Sequence, residues 1–200
     1  DLGVALLKNG SDFLTHLPMI RAMGETGLPT VLSTGMATRE EIDDAVRIFR
    51  ATGNDRLIVL HCTSAYPTPP AEANLRRIPA LSARTGCPVG FSDHTEGWTA
   101  AVGAVALGAC LVEKHFTLDH NLPGPDHRFS ATPEEFGQLA KAVRGVEAAL
   151  GNAKIGPTAS EMDGRAAYRL SCVAACDLSA DHVLAEADLA YRRPGTGIPP

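Results

Sequence analysis

The chain lacks the features that mark several large classes of protein. It has no excess of positive charge, since its net charge is −5, and this argues against a nucleic-acid binder. Its longest apolar stretch, from Trp98 to Val112, is interrupted by glycines and is too short to cross a bilayer. No signal peptide opens the sequence. We therefore expect a cytoplasmic protein that binds neither nucleic acid nor membrane, although a local cluster of cations can still hold an anionic substrate.

The cysteines lack any pairing pattern. Their number is odd, and no two of them have the spacing of a zinc ribbon. We expect all of them to be reduced thiols, as in a cytosolic protein: Cys62, Cys87, Cys110, Cys172 and Cys176. A nucleophilic Cys62 beside His61 is the functional alternative, but no third group that would orient the histidine is evident.

Short apolar runs, each followed by an amphipathic segment, dominate the sequence. The polar ends of these runs recur every 22 to 31 residues, a length that accommodates a strand, a turn and a crossover helix. The runs show no alternation of polar residues, which is typical of parallel strands covered on both faces. The predicted strands are Val4 to Leu7, Thr30 to Leu32, Leu57 to Leu60, Pro88 to Phe91 and Cys110 to Val112.

Helix signals fall between the predicted strands. Capping boxes at 38–41 and 132–135 predict helices that extend to Phe49 and Leu150. The segment from Trp98 to Leu107 is rich in Ala and Gly and predicts a helix packed closely against the sheet.

Five βα units in succession indicate either part of a (β/α)8 barrel or an open doubly wound sheet. The open sheet would need a glycine-rich phosphate turn after its first strand, and 8–11 (Lys-Asn-Gly-Ser) is not that fingerprint. Because five strands cannot close a barrel, we expect an α/β fold comprising about the last five units of a TIM barrel over residues 1–151, with three further units upstream. A linker over 152–167 and a small second domain over 168–200 follow, with strands at 171–175 and 183–184 and a basic loop at 192–197.

Polar side chains stand at the carboxyl end of every predicted strand, where parallel βα proteins place their ligand sites. They comprise a lysine, several hydroxyls and three imidazoles: Lys8, Ser11, Ser33, Thr34, His61, Thr63, Ser64, Ser92, His94 and His115. A lysine among hydroxyls suits a phosphate or a carboxylate. The alternative interpretation is that Ser and Thr end strands because they favour turns.

His94 and His115 lie 21 residues apart, one βα unit. On adjacent strands their backbones would be separated by roughly 5 Å, so the two imidazoles could hold one divalent ion and leave positions for water and substrate. The alternative is a pair of hydrogen-bonded histidines at the mouth of the barrel. Asp93 and Glu113 could support the ligands or bind substrate hydroxyls. The rigid loop at 123–127 either covers the site and presents Asp126 or is a plain connection.

Taken together, these motifs resemble those of the sialic acid synthases and their legionaminic and pseudaminic acid relatives. Their order and spacing carry the resemblance, which runs from about Leu7 to the end of the chain. The motifs are Leu32-Ser-Thr-Gly-Met, His61-Cys-Thr-Ser-Ala-Tyr-Pro-Thr-Pro, Ser92-Asp-His-Thr, Glu113-Lys-His-Phe-Thr, Pro123-Gly-Pro-Asp-His and Arg192-Arg-Pro-Gly-Thr-Gly.

The resemblance implies condensation of phosphoenolpyruvate with N-acetylmannosamine, or a related N-acyl amino sugar, to give a nine-carbon 2-keto acid and phosphate. In that family C3 of phosphoenolpyruvate attacks the open-chain aldehyde, water adds to C2, and phosphate leaves by C–O cleavage. It further implies that His94 and His115 hold Mn²⁺ or Mg²⁺. The substrates would be bound by Lys8, Ser11, Ser33, Ser64, Ser92, Asp126 and the catalytic Tyr66.

The C-terminal piece resembles the start of the antifreeze-like (SAF) domain of these enzymes. There Arg193 matches an arginine that reaches the N-acyl group of the sugar in the partner's barrel, so the resemblance implies a domain-swapped homodimer. The chain departs from the family where Ser64 replaces a frequent Asn and Asn9 an apolar residue, and its Ala180-Asp181 replaces a Lys-Gly turn.

The family's catalytic glutamate lies on the first three strands, so the resemblance implies that these 200 residues alone are inactive. Two other functions stay open. One is a metal-dependent barrel aldolase or isomerase that needs no phosphoenolpyruvate. The other is a non-catalytic remnant or a carbohydrate-binding module.

Overall fold

A computed structural model describes residues 3–200. The chain forms two compact units, with the boundary between Gly151 and Asn152. None of the helices in residues 3–200 is both long enough and apolar enough to cross a membrane.

The larger unit is a five-stranded, all-parallel sheet with a helix after every strand. The strands lie in chain order, β1 (Leu7–Lys8), β2 (Thr30–Ser33), β3 (Leu57–Cys62), β4 (Val89–Asp93) and β5 (Val112–Lys114). The helices are α1 (Leu17–Glu25), α2 (Arg39–Arg50), α3 (Arg77–Thr85), α4 (Thr99–Ala106) and α5 (Pro133–Leu150). The strand order lacks the reversal of a doubly wound sheet. This arrangement confirms the expected partial TIM barrel.

The first and last strands differ from their predicted limits. Of the first apolar run only Leu7 pairs with β2, together with the following Lys8, while Val4 and Leu6 are 48% and 50% exposed. β2 begins opposite Leu7 at Thr30, so β1 cannot extend further toward its N-terminus in this register. β5 begins two residues later than predicted, at Val112.

The predicted capping boxes begin two of the helices. At the start of α2, the Thr38 hydroxyl accepts a hydrogen bond from the Glu41 N–H, and Glu41 accepts one from the Thr38 N–H. Thr132 and Glu135 repeat this exchange at the start of α5. Each box pairs N–H groups that the first helical turn leaves free, which fixes where the helix begins.

The core lies between the sheet and its helices. Side chains from both layers meet there, including Phe49 of α2, Val59 of β3 and Phe91 of β4, and these three are at most 2% exposed. The buried apolar faces hold the strands in register, so that all five carboxyl ends meet at one edge.

The smaller unit contains helix α6 (Met162–Tyr168) and an antiparallel pair of strands, β6 (Ser171–Ala174) and β7 (Leu189–Arg192). The prediction of a strand at 183–184 is wrong. Val183 and Leu184 are 86% and 61% exposed, and β7 supplies the partner of β6 instead. Residues 152–167, interpreted as a linker, include most of α6.

Candidate active site

Most of the polar residues that end the five strands line one cavity of about 460 Å³ at the carboxyl edge of the sheet. Thr34, His61 and Thr63 do not line it and border a separate pocket instead. The cavity brings together nine residues predicted from the sequence, and Asp126 lies beside it. The lining residues are Lys8, Gly10, Ser11, Asp12, Ser33, Met36, Ser64, Tyr66, Ser92, His94, Glu113 and His115. Convergence from all five strands is not what turn formation alone requires, so it favours a ligand site over plain turns.

A salt bridge joins the first and the last strand across the concave side of the sheet. Lys8 Nζ lies 3.2 Å from Glu113 Oε2, and both side chains are 34% exposed. The sheet is therefore curved enough for β1 and β5 to face one another. The ammonium group stays open to the cavity and can pair with an anion there.

Three buried polar atoms have no hydrogen-bond partner among the described residues: Asn9 Nδ2, Ser33 Oγ and Ser64 Oγ. Ser33 and Ser64 line the cavity together with Lys8. The other end of the Asn9 amide is used, because Oδ1 accepts a hydrogen bond from the Ser33 N–H at 2.9 Å. Buried donors without acceptors are costly, and a bound anion would supply acceptors. In the sequence, the only signal at Asn9 is its departure from the family pattern.

Ser11 and Cys62 lie in contact on the same side of the cavity. The Ser11 hydroxyl accepts a hydrogen bond from the Gly35 N–H at 3.0 Å and lies 3.1 Å from Cys62 Sγ. Burial raises the pKa of the Cys62 thiol, which keeps it protonated. The neighbouring His61 bonds instead with the Ala73 carbonyl, at 2.7 Å. The alternative of a Cys62 nucleophile activated by His61 is therefore wrong, since successive strand residues face opposite sides.

His94 and His115 lie side by side at the ends of β4 and β5. Their ring centroids are 5.3 Å apart and the rings are nearly perpendicular. Tyr66 covers both, with its ring centroid 4.4 Å from that of His94 and 5.6 Å from that of His115. The side chains predicted to form the chemical centre are thus adjacent, with an aromatic ring against them.

The hydrogen bonds of His94 favour a ring with a free lone pair on Nε2. Nδ1 lies 2.7 Å from the Thr63 carbonyl, which can only accept, so Nδ1 carries the proton. The Ser92 hydroxyl is 3.1 Å from Nε2 and 2.7 Å from Glu113 Oε1, and its single proton can go to only one of them. Burial lowers the pKa of His94, which favours the neutral ring. A neutral imidazole oriented through Nδ1 is the form that binds metals.

Asp93 and Glu113 occupy opposite faces of the sheet, although both were candidates to bind substrate. Glu113 lines the cavity. Asp93 is completely buried and accepts hydrogen bonds from Thr95 and Lys114 on the far face. Asp93 therefore cannot contact a ligand in the cavity. Sequence reasoning gave Lys114 no role, although a charged residue between two cavity residues of a strand is a signal for a buried partner.

The loop at 123–127 brings a carboxylate to the histidines. Asp126 Oδ2 lies 3.6 Å from His115 Nδ1, and the Asp126 side chain is 55% exposed. At the end of the loop, the His127 ring shares a 2.7 Å hydrogen bond with the Thr117 hydroxyl. The loop is thus fastened beside the site, as the covering interpretation requires.

Arg193 lies in the smaller unit, in the loop that follows β7. Its guanidinium is 5.6 Å from the centroid of the Tyr168 ring, a cation–π distance. The Ser171 hydroxyl fixes this loop by donating to the Pro194 carbonyl and accepting from the Gly197 N–H. The arginine is exposed on a loop of fixed shape.

The donor set fits a divalent cation that needs further ligands. Within residues 3–200, no three His, Cys, Asp or Glu side chains converge closely enough to hold a metal by themselves. His94 and His115 offer two imidazoles on one side of an open cavity, and such an arrangement leaves coordination positions for water and substrate. The fit is to a catalytic rather than a structural ion.

A model of the NeuB family matches residues 1–155. The chain belongs to the NeuB family. Among its relatives, the N,N'-diacetyllegionaminic acid synthase of Legionella pneumophila is 40% identical over 100% of this chain and 57% of that protein. The uncharacterized protein MJ1065 of Methanocaldococcus jannaschii is 43% identical over 98% of this chain and 58% of its own length.

Solved structures of NeuB relatives have the same fold. The N-acetylneuraminic acid synthetase of Leptospira borgpetersenii, crystallised with citrate, superposes with a TM-score of 0.76 at 38% identity, covering 81% of this chain and 56% of that one. The DAHP synthase of Thermotoga maritima shares the fold at 18% identity and a TM-score of 0.63. The chain spans slightly more than half the length of these three NeuB relatives.

Proposed function

We propose that this chain forms part of a phosphoenolpyruvate-dependent synthase that makes a nonulosonic acid. The reaction joins phosphoenolpyruvate to N-acetylmannosamine or a related N-acyl amino sugar, consumes water, and releases a nine-carbon 2-keto acid and phosphate. One observation carries the proposal: a single cavity holds unpaired anion-binding donors on one side and a pair of imidazoles on the other. Relatives named as legionaminic and pseudaminic acid synthases support it.

The anionic substrate would bind against β1, β2 and β3. Lys8 supplies positive charge, and the Ser33 and Ser64 hydroxyls are buried donors that lack acceptors. Ser11 completes this side of the cavity. Phosphoenolpyruvate carries a phosphate and a carboxylate, and both can accept such hydrogen bonds. These residues would fix its orientation and so hold its C3 toward the histidine side.

His94 and His115 would hold Mn²⁺ or Mg²⁺ on the opposite side. When bound, the ion would polarise the aldehyde oxygen of the open-chain sugar. The Thr63 carbonyl orients the His94 ring for this task. Tyr66 packs against both imidazoles and is 48% exposed, so its other face is free to contact a sugar.

Two carboxylates near the histidines, Glu113 and Asp126, would exchange protons with the substrates or bind their hydroxyls. Glu113 holds the Ser92 hydroxyl at 2.7 Å and Lys8 at 3.2 Å, which ties the two halves of the cavity together. Asp126 stands near His115 and would accept hydrogen bonds from the sugar or from water.

Arg193 would act in the barrel of a partner subunit, in a domain-swapped homodimer. Its exposed guanidinium on a fixed loop is available for an amide oxygen such as that of an N-acyl group. Mixing an inactive Arg193→Ala protein with an inactive His115→Ala protein should restore part of the activity, because mixed dimers then contain one site with both residues intact.

We also propose a cytoplasmic location. All the cysteines are free thiols in the structure, including two that are exposed, Cys110 and Cys176. Exposed free thiols persist in a reducing compartment.

Phosphate release by the full-length protein tests the function. We expect release from phosphoenolpyruvate only when an N-acyl amino sugar and Mn²⁺ or Mg²⁺ are both present. A panel of N-acetylmannosamine and its diacetamido analogues would identify the acceptor. His115→Ala should lower kcat/KM by at least about 100-fold, since loss of a ligand should cost no less than loss of a group that only orients a ligand.

His16→Ala is the matched control. His16 is exposed and accepts one hydrogen bond from the Met19 N–H at the start of α1. Its loss should leave kcat/KM within about twofold, because His16 lies outside the cavity. Full activity of His115→Ala would refute the metal assignment. Turnover of a sugar phosphate without phosphate release would favour the aldolase or isomerase instead.

A further inference from the structure

A buried ion pair lies directly behind the two histidines. Lys114 Nζ is 3.1 Å from Asp93 Oδ2, and the side chains are 3% and 0% exposed. Each charged residue immediately precedes one histidine in the sequence. Because side chains alternate along a strand, the pair points away from the cavity into which the histidines point.

Every charge of this pair is hydrogen-bonded. Asp93 Oδ1 accepts from the Thr95 N–H at 2.9 Å and from the Thr95 hydroxyl at 2.7 Å. Lys114 Nζ also donates to the Thr95 carbonyl. His94 is thus held between Asp93 and Thr95, and both of these are tied to the residue that precedes His115.

The ion pair also fixes the register of the two strands. Asp93 lies directly opposite Lys114 in the β4–β5 ladder, as Ser92 lies opposite Glu113. The Ser92–Glu113 hydrogen bond links the strands on the cavity face, and the ion pair links them on the far face. A buried ion pair gains little net stability, because desolvation offsets the attraction. Its benefit here is geometric.

We propose that Asp93 and Lys114 are positioning residues that set the spacing and orientation of the two imidazoles for one divalent ion. The proposal rests on the proposed function only in assigning a cation to His94 and His115. Without the pair, the ends of β4 and β5 can shift relative to each other, and the 5.3 Å separation of the rings is no longer fixed.

The double variant Asp93→Asn/Lys114→Met in the full-length protein tests this. It replaces two opposite charges by neutral groups of similar shape, so the fold should survive. We expect Mn²⁺ to bind about 10- to 100-fold more weakly, measured by electron paramagnetic resonance titration without substrate. Saturating Mn²⁺ should recover most of kcat. KM for phosphoenolpyruvate should change less than the Mn²⁺ affinity, since Lys8 and Ser33 lie on β1 and β2.

Two further variants separate positioning from a general loss of stability. Ile78→Val removes a buried methyl group in α3, outside the cavity, and should leave Mn²⁺ affinity unchanged. Thr95→Val removes one hydrogen bond to Asp93, and we expect about threefold weaker Mn²⁺ binding. This variant tests the positioning role if the double variant does not fold. The proposal would be overturned if the folded double variant bound Mn²⁺ within twofold of the wild-type affinity. If the double variant does not fold, the same result in Thr95→Val would overturn it. Equal weakening of Mn²⁺ binding in Ile78→Val would also overturn it.

The metal titration needs no turnover. A protein that releases no phosphate but shows weakened Mn²⁺ binding in the double variant would refute the synthase function and support the positioning role.

Discussion

Gly35→Ala should disturb the side of the cavity formed by Ser11 and Ser64, because it adds one methyl group there. Gly35 is buried two residues after the end of β2, and a Cβ there would lie 2.3 Å from Ser64 Oγ, 2.7 Å from Ser11 Oγ and 2.9 Å from Cys62 Sγ. Ordinary contacts begin at 3.4 Å, so the Ser64 hydroxyl must retreat by roughly 1 Å. Ser11 and Cys62 already touch one another, so the overlap must be relieved mainly by rotation of the Ser64 hydroxyl.

Both stability and catalysis should respond. Overpacking of this kind costs about 1–3 kcal/mol of the free energy of unfolding. Misplacement of a substrate-binding group by about 1 Å can lower kcat/KM by about 100-fold. We expect the loss mainly as a higher KM for phosphoenolpyruvate, since the histidine side is untouched. Urea unfolding and steady-state phosphate release on the full-length protein measure the two effects separately.

Gly137→Ala is the matched control. It makes the same chemical change in α5, where a Cβ would meet nothing within 4 Å. It should raise stability by about 0.5–1 kcal/mol through helix propensity and leave KM unchanged. If Gly35→Ala retained the wild-type KM and kcat, the assignment of Ser11 and Ser64 to the substrate would be refuted.

Three further predictions concern stability, its dependence on pH, and the thiols. Thr132→Ala should lose about 1 kcal/mol by removing the cap of α5, measured by urea unfolding. Hydrogen bonding from the Thr132 N–H lowers the pKa of Glu135, so its stabilisation is present at neutral pH and lost as the pH falls below the unfolded value of 4.5. Glu135→Gln should therefore flatten the decline of stability between about pH 5 and pH 3, and an unchanged decline would contradict this. Maleimide should label exposed Cys176 rapidly in the native protein and buried Cys62 only on unfolding. Burial shields the Cys62 thiol and raises its pKa, so that little of the reactive thiolate forms. Equal labelling rates would contradict the assignment of Cys62 as an inert thiol.

The sequence predicted those parts of the fold that depend on local chemistry and periodicity. Both capping boxes begin helices as predicted, because the hydrogen-bonding groups involved lie within four residues. The βα repeat predicted the parallel sheet, because apolar runs without polar alternation require cover on both faces. The prediction of a strand at 183–184 was wrong because strand pairing is not local. Two apolar residues carry no information about which segment will pair with β6.

The candidate site was predictable as a list of residues and not as a set of contacts. Strand ends placed Lys8 and Glu113 at the same edge, but only the curvature of the sheet brings them to 3.2 Å. The buried Asp93–Lys114 pair depends on the register between β4 and β5, which sequence spacing does not determine. The role of Asn9 as an acceptor for the Ser33 N–H is a contact between strands and has no local signature.

The bridge between Lys8 and Glu113 also bears on how the protein folds. It joins the first strand of the sheet to the fifth, so it can form only after every intervening βα unit has been placed. A contact between distant parts of a chain requires a long loop to close, which costs entropy before the contact stabilises anything. Such contacts therefore form late in folding. During refolding, helical signal should therefore recover first, and the cavity should gain its ability to bind anions only at the end.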